Sequence, residues 1–168
     1  MDKLEDIKNY LEKQNLPQIS QQYRTMLNAP ITSKELSDVI QGLKPVKSPG
    51  PDGFTAFFYK NYIKLLVPKV QILFNDILNN RLKPDSWNKI EIISILKPQK
   101  NPVDPGSYRP ISLSNKDYKI FTKVLTKRLE EIISRLIKED QYGFIKNGYI
   151  GDPIRNLINV IYHAKKTQ

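Results

Sequence analysis

The chain has no cysteine, which excludes a disulfide framework, a zinc knuckle and thiol chemistry. It has one histidine, His163, in a polar helix tail. No serine–carboxylate context surrounds it and no metal-ligand partners accompany it, so a structural or solvent-facing role follows. No uninterrupted apolar run approaches the roughly 18–20 residues of a membrane span, and Met1-Asp2-Lys3-Leu4-Glu5-Asp6 lacks the apolar core of a signal peptide. The expectation is a soluble, intracellular protein of nucleus or cytoplasm without a membrane partner. Acidic residues are also scarce: 17 Asp or Glu stand against 27 Lys or Arg, a net charge of +10, which attracts polyanions such as nucleic acid or an acidic membrane surface. Hydrophobic residues make up 39% of the chain, below the average of about 45–50%, as expected of a domain with an extended polar working face.

The 168 residues suffice for one ordinary domain with a core. The basic surplus lies mainly in residues 89–168, where fifteen Lys or Arg face eight Asp or Glu. Residues 2–14 read as an amphipathic helix with Leu4, Ile7 and Leu11 on one face, followed by a polar, Gln-rich segment to about Ala29. Thr32 and Glu35 match a capping box and open a helix over 33–43, with Leu36, Val39, Ile40 and Leu43 inward. Pro45, Pro49, Gly50, Pro51 and Gly53 then impose a loop. Apolar residues at helical spacing run from Phe54 to Leu82, and Pro68 is expected to divide this stretch into two helices or to mark the first turn of the second.

After Pro84 the period changes. Ile90–Leu96 and Tyr108–Leu113 are short and rich in strand formers, so they predict a β-hairpin with a long loop from Lys97 to Ser107. Residues 115–137 carry the longest helical pattern, and Asp152 as N-cap with Pro153 as first helical residue opens a last helix to about Lys165. The fold class is α+β, mostly helical with a small antiparallel hairpin.

Two features carry chemistry. Lys97 and Arg109 sit at predicted strand ends of the hairpin, where a point charge and a planar fork can converge on one triphosphate; a solvated lysine and a salt-bridged arginine are the plainer alternative. The loop Lys47-Ser48-Pro49-Gly50-Pro51-Asp52-Gly53 joins glycines that allow close approach, prolines that stiffen, and backbone N–H groups beside Lys44 and Lys47, a combination suited to a phosphate backbone. A tight interhelical connection is its plainer reading.

These segments occur in a fixed order: Lys47 to Gly53, then Lys97-Pro98, then Tyr108-Arg109-Pro110-Ile111-Ser112-Leu113, then Gln141-Tyr142-Gly143-Phe144. Together they resemble the amino-terminal half of the reverse transcriptase of non-LTR retrotransposons, the LINE family, from about Ile31 to Lys166. The resemblance implies a fingers region of a partial polymerase right-hand fold, with residues 1–30 as a helical linker-like segment, 31–88 as an amino-terminal extension and 89–168 as the fingers hairpin and following helices. It assigns Lys97 and Arg109 to the phosphates of the incoming nucleotide and residues 47–53 to the template. Gln141, Gly143 and Phe144 would form the pocket wall, and Tyr142 and Phe144 would stack on bases for roughly 1–3 kcal/mol each; buried packing serves Phe144 equally well. Where the family continues with Pro-Gly, this chain has Lys146-Asn147-Gly148.

The family's reaction uses two magnesium ions held by clustered carboxylates. No apolar strand here ends in Asp-Ala-Phe, and no aromatic-Ala-Asp-Asp occurs. Asp104, Asp117, Asp140 and Asp152 fall in loop or cap contexts. The expectation is a fragment that grips RNA template and nucleotide, holds no cofactor itself, and meets Mg2+, DNA primer and deoxynucleoside triphosphate only in the complete polymerase. The alternatives are a non-catalytic nucleic-acid-binding derivative and an inert retroelement remnant.

Overall fold

A computed structural model describes residues 3–14, 18–137, 149 and 151–166. The chain divides into two compact units, Pro30–Lys127 and a second made of Met1–Ala29 with Arg128–Gln168.

In the first unit the chain enters through Ile31, which is fully buried. Asn75 clasps its backbone on both sides, accepting from the Ile31 N–H at 2.7 Å and donating to its carbonyl at 3.0 Å. The Thr32–Glu35 capping box forms as expected and starts α3 (Ser33–Gln41), after α1 (Lys3–Lys13) and α2 (Gln21–Asn28) of the other unit. Leu36, Val39 and Ile40 of α3 are fully buried, and the helix packs on α4 (Ala56–Asn61) and α5 (Ile63–Asn80).

The break between α4 and α5 falls at Tyr62, whose backbone leaves helical values at φ −103° and ψ 21°. Pro68, expected at or near that break, lies inside α5 instead. The reason is its exposure: both Pro68 and Lys64 face solvent, so the carbonyl of Lys64 that loses its i+4 donor is left to water.

A 3₁₀ turn, Asp85–Asn88, places Trp87 in the core. The Trp87 ring stands 6.1 Å from Phe74 and 5.2 Å from Phe121 between centroids, in tilted and edge arrangements. Its indole N–H donates to the Asp117 carboxylate at 2.8 Å, which satisfies the one polar atom that burial would otherwise strand.

The hairpin follows: β1 (Glu91–Leu96) pairs antiparallel with β2 (Tyr108–Leu113) in a two-stranded sheet. The register sets Ile93 opposite Ile111 and Ile95 opposite Arg109, and the Lys97 N–H extends the ladder one step by bonding to the Ser107 carbonyl at 2.8 Å. Within the intervening loop Asp104 accepts from the Gly106 N–H at 2.9 Å, and the Tyr108 hydroxyl donates to the Pro102 carbonyl at 3.0 Å. Then α6 (Lys116–Leu136) contributes Ile120, Phe121 and Val124 to the core. The described residues are mostly helical with a small antiparallel sheet, as the sequence predicts.

In the second unit, α2 occupies part of the stretch read as a polar, Gln-rich segment. Arg128, only 8% exposed, holds its end by donating to the carbonyls of Leu27 at 3.3 Å and Ala29 at 2.5 Å. The last helix, α7 (Asp152–Lys166), starts one residue earlier than expected: the Gly151 carbonyl accepts the Arg155 N–H at 3.0 Å. Gly151 is therefore the cap, and Asp152 instead faces Arg155 at 3.8 Å. Among the described residues no helix is long and apolar enough to cross a membrane.

Candidate functional site

A cleft of about 450 Å³ opens in the Pro30–Lys127 unit between the hairpin, the loop after α3 and the first turn of α6. Alternation along a strand puts every second side chain on one face. Ile93, Ile95, Ile111 and Leu113 share that face and give the cleft an aliphatic floor. Four lysines surround it: Lys44 and Lys47 from the loop, and Lys116 and Lys119 from α6. Among the described residues no carboxylate lines it.

The loop is fixed by its own sequence. Gly53 takes φ 74°, a left-handed value that glycine tolerates best, and its N–H closes a turn onto the Gly50 carbonyl at 3.0 Å. The Asp52 side chain accepts from the Phe54 N–H at 3.0 Å, the Asx turn that Asp favours. Gly50 packs so tightly on the start of α6 that a Cβ there would stand 2.5 Å from the Asn115 nitrogen, the Asn115 side-chain oxygen and the Ser114 carbonyl carbon. Asn115 accepts from the Asp52 N–H at 3.3 Å, and Lys116 Nζ donates to the Ser48 carbonyl at 2.8 Å.

Of the four lysines of the cleft Lys116 alone is buried, at 3% exposure. Burial pulls its pKa below that of a free lysine, Lys119 pulls it further, Asp52 opposes, and Lys47 adds a smaller push down. Nearby, burial pushes the Tyr59 phenol up, with the Asp117 and Asp52 carboxylates adding to the effect.

Arg109 stands opposite Ile95 and so belongs to the floor face of the hairpin, exposed and without a side-chain hydrogen bond or ion pair among the described residues. Lys97 lies diagonally from it on the same face, a separation of roughly 7–8 Å between backbone positions. Its ammonium donates to the Gly106 carbonyl at 2.8 Å. The two cations therefore continue the row of the floor toward the hairpin tip. Gln141, Gly143 and Phe144 lie outside the described residues.

Sequence reasoning gave neither Lys116 nor Lys119 a role in the site. A signal was present: both stand at the start of a helix, where the positive end of the dipole disfavours cations, so their placement asks for an anion.

Among the described residues no three His, Cys, Asp or Glu side chains gather to hold a metal. The described residues do not fit the paired magnesium ions that the resemblance implies for a complete polymerase.

Residues 95–168 match the family described as reverse transcriptase (RNA-dependent DNA polymerase). The chain is 28% identical over 152 residues to the transposon TX1 uncharacterized 149 kDa protein of Xenopus laevis, covering 90% of this chain and 12% of that protein. It is 30% identical over 141 residues to the RNA-directed DNA polymerase from mobile element jockey of Drosophila funebris, covering 80% of this chain and 15% of the relative. The probable RNA-directed DNA polymerase from transposon BS of Drosophila melanogaster is 29% identical over 137 residues, with the same two coverages. The chain thus spans 12–15% of the length of these relatives. Its motifs and its similarity agree along most of its length, and the chain is similar to part of the RNA-directed DNA polymerases of transposable elements.

Proposed function

We propose that this region serves RNA-directed DNA synthesis by gripping the template and the incoming nucleotide, as the fingers side of a right-hand polymerase. The single observation that carries the reading is the cleft: among the described residues, four lysines and no carboxylate around an aliphatic floor. A strand of nucleic acid has that pattern reversed, anionic phosphates outside and flat apolar faces within. Lys44, Lys47 and Lys119 take template phosphates, and residues 47–53 cover the strand. Lys97 and Arg109, at the tip end of the same face, take the triphosphate of the nucleotide, with Gln141, Gly143 and Phe144 as pocket wall. In this reading residues 31–88 are the amino-terminal extension and 89–168 the fingers, joined to whatever precedes them by the helical segment 1–30. DNA primer and magnesium chemistry belong to the complete polymerase.

Titration of a labelled single-stranded RNA against the chain at several salt concentrations tests the reading. Three phosphate contacts at about 0.7 counterions each predict a slope near −2, so affinity falls about twentyfold between roughly 50 and 200 mM salt. Replacing Lys44 and Lys47 together by alanine takes about 1.4 from that slope, whereas replacing exposed Lys64 and Lys69 of α5 leaves it unchanged. A slope indifferent to the loop lysines refutes the assignment.

A further inference from the structure

We infer that Lys116 is a positioning residue of the template cleft, a latch that holds the loop 47–53 on the first turn of α6 and thereby sets Lys44 and Lys47 over the floor. The inference rests on the proposed reading of the cleft and adds a division of labour among its four lysines.

The position is electrostatically poor for a cation. Lys116 is the first residue of α6, where the helix presents its positive end, and it stands 3% exposed with Lys119 and Lys47 as like-charged neighbours. The Asp52 carboxylate acts in its favour. A side chain whose task is to meet phosphate directly stays in water until the ligand arrives, as the exposed Lys44 and Lys47 do. Lys116 already spends a proton on the Ser48 carbonyl at 2.8 Å. Beside it, Asn115 accepts from the Asp52 N–H at 3.3 Å, and Gly50 touches the helix start between the two bonds. The loop is thus fastened at Ser48 and Asp52, on either side of its closest approach, and the fastening at Ser48 depends on one side chain. Lys44 and Lys47 are carried by the strand of backbone that ends there.

A direct phosphate contact and a latch differ in how substitutions combine. In a double-mutant cycle read by RNA affinity, Lys47→Ala weakens binding in the original chain. It has a much smaller effect once Lys116→Leu has released the loop, so the two changes are non-additive by severalfold. Hydrogen exchange of the Asp52 and Gly53 amides gives the second readout: Lys116→Leu should speed it by roughly ten- to hundredfold, the yield of losing one charge-assisted bond. Lys116→Gln, which keeps a donor on a stem one atom shorter, should recover part of that protection. Fluorescence of Trp87, the sole tryptophan, reports whether each variant keeps its core; if Lys116→Leu does not, the Gln variant carries the cycle. Additive effects with exchange unchanged overturn the latch and make Lys116 an ordinary phosphate contact. If Lys44→Ala and Lys47→Ala leave RNA affinity intact in the original chain, the cleft reading fails, and the exchange rates alone decide whether Lys116 holds the loop.

Discussion

The same substitution at two glycines three residues apart should have unequal costs, for reasons that do not overlap. At Gly53 an added Cβ meets nothing within 4 Å; the penalty comes only from holding a non-glycine residue at φ 74°, about 1 kcal/mol. At Gly50 the Cβ would stand 2.5 Å from three atoms at the start of α6, two of them main chain, and main chain cannot rotate away as a side chain can. Relief requires the loop to lift. Lifting breaks the Asp52–Asn115 bond, a neutral pair contributing about 1 kcal/mol, and the Lys116–Ser48 bond, a charged donor contributing about 1.5–3 kcal/mol. Gly50→Ala should therefore destabilise the fold by about 2–4 kcal/mol, at least twice the effect of Gly53→Ala. Urea unfolding followed by Trp87 fluorescence measures both, since Trp87 sits in the core that the start of α6 helps to close. Equal costs, or a cost below about 0.5 kcal/mol at Gly50, would show that the loop is not seated on α6 as described.

In a polymerase containing this region, Arg109→Ala should lower nucleotide use roughly ten- to hundredfold while leaving template affinity nearly intact, and Arg109→Lys should restore only part; steady-state kinetics at saturating template separate the two. Thr32→Ala removes the α3 capping box and should cost about 1 kcal/mol, a melting temperature lower by roughly 2–4 °C in calorimetry. Trp87→Phe keeps most of the packing and deletes the bond to Asp117; chemical denaturation should record a loss of about 1.5–3 kcal/mol. Burial raises the Tyr59 pKa above its ordinary value near 10, so its stabilising share is complete below about pH 10 and fades as the pH rises and the unfolded phenol ionises. Tyr59→Phe should accordingly shallow the alkaline decline of the urea midpoint, and an unchanged decline would exclude the phenol as its source.

Local signals written within a few residues were legible. Thr32 and Glu35 announced α3 and its cap, and the β-branched run after Ile90 announced β1. Signals that depend on distant partners were not. Nothing near Tyr62 marks a helix break, while Pro68 marks one that its exposed position makes unnecessary. α2 owes its anchoring to Arg128, about a hundred residues away, and no local pattern reveals such a clasp. At the site, the period-two alternation fixed which hairpin residues share a face, but only the register across an eleven-residue loop put Arg109 opposite Ile95 and beside Lys97. Lys44 and Lys47 were visible as a basic loop; Lys116 and Lys119 were hidden in a helix pattern, where a lysine reads first as a solvated side chain.

The register of the hairpin also decides what the sheet can become. Lys97 and Ser107 form a hydrogen-bonded pair, and the bonding alternates, so the pair of Ser94 with Pro110 falls between bonds. At that place a residue of β2 would point its N–H outward, away from β1, and Pro110 has none to point. The outer margin of β2 thereby lacks its middle donor, and a third strand approaching there would find a gap in the ladder. With apolar side chains exposed on both faces of the hairpin, such as Ile92 and Ile95, a continuous margin would invite copies of the chain to join edge to edge. A single imino acid interrupts that margin at the place where a third strand would join.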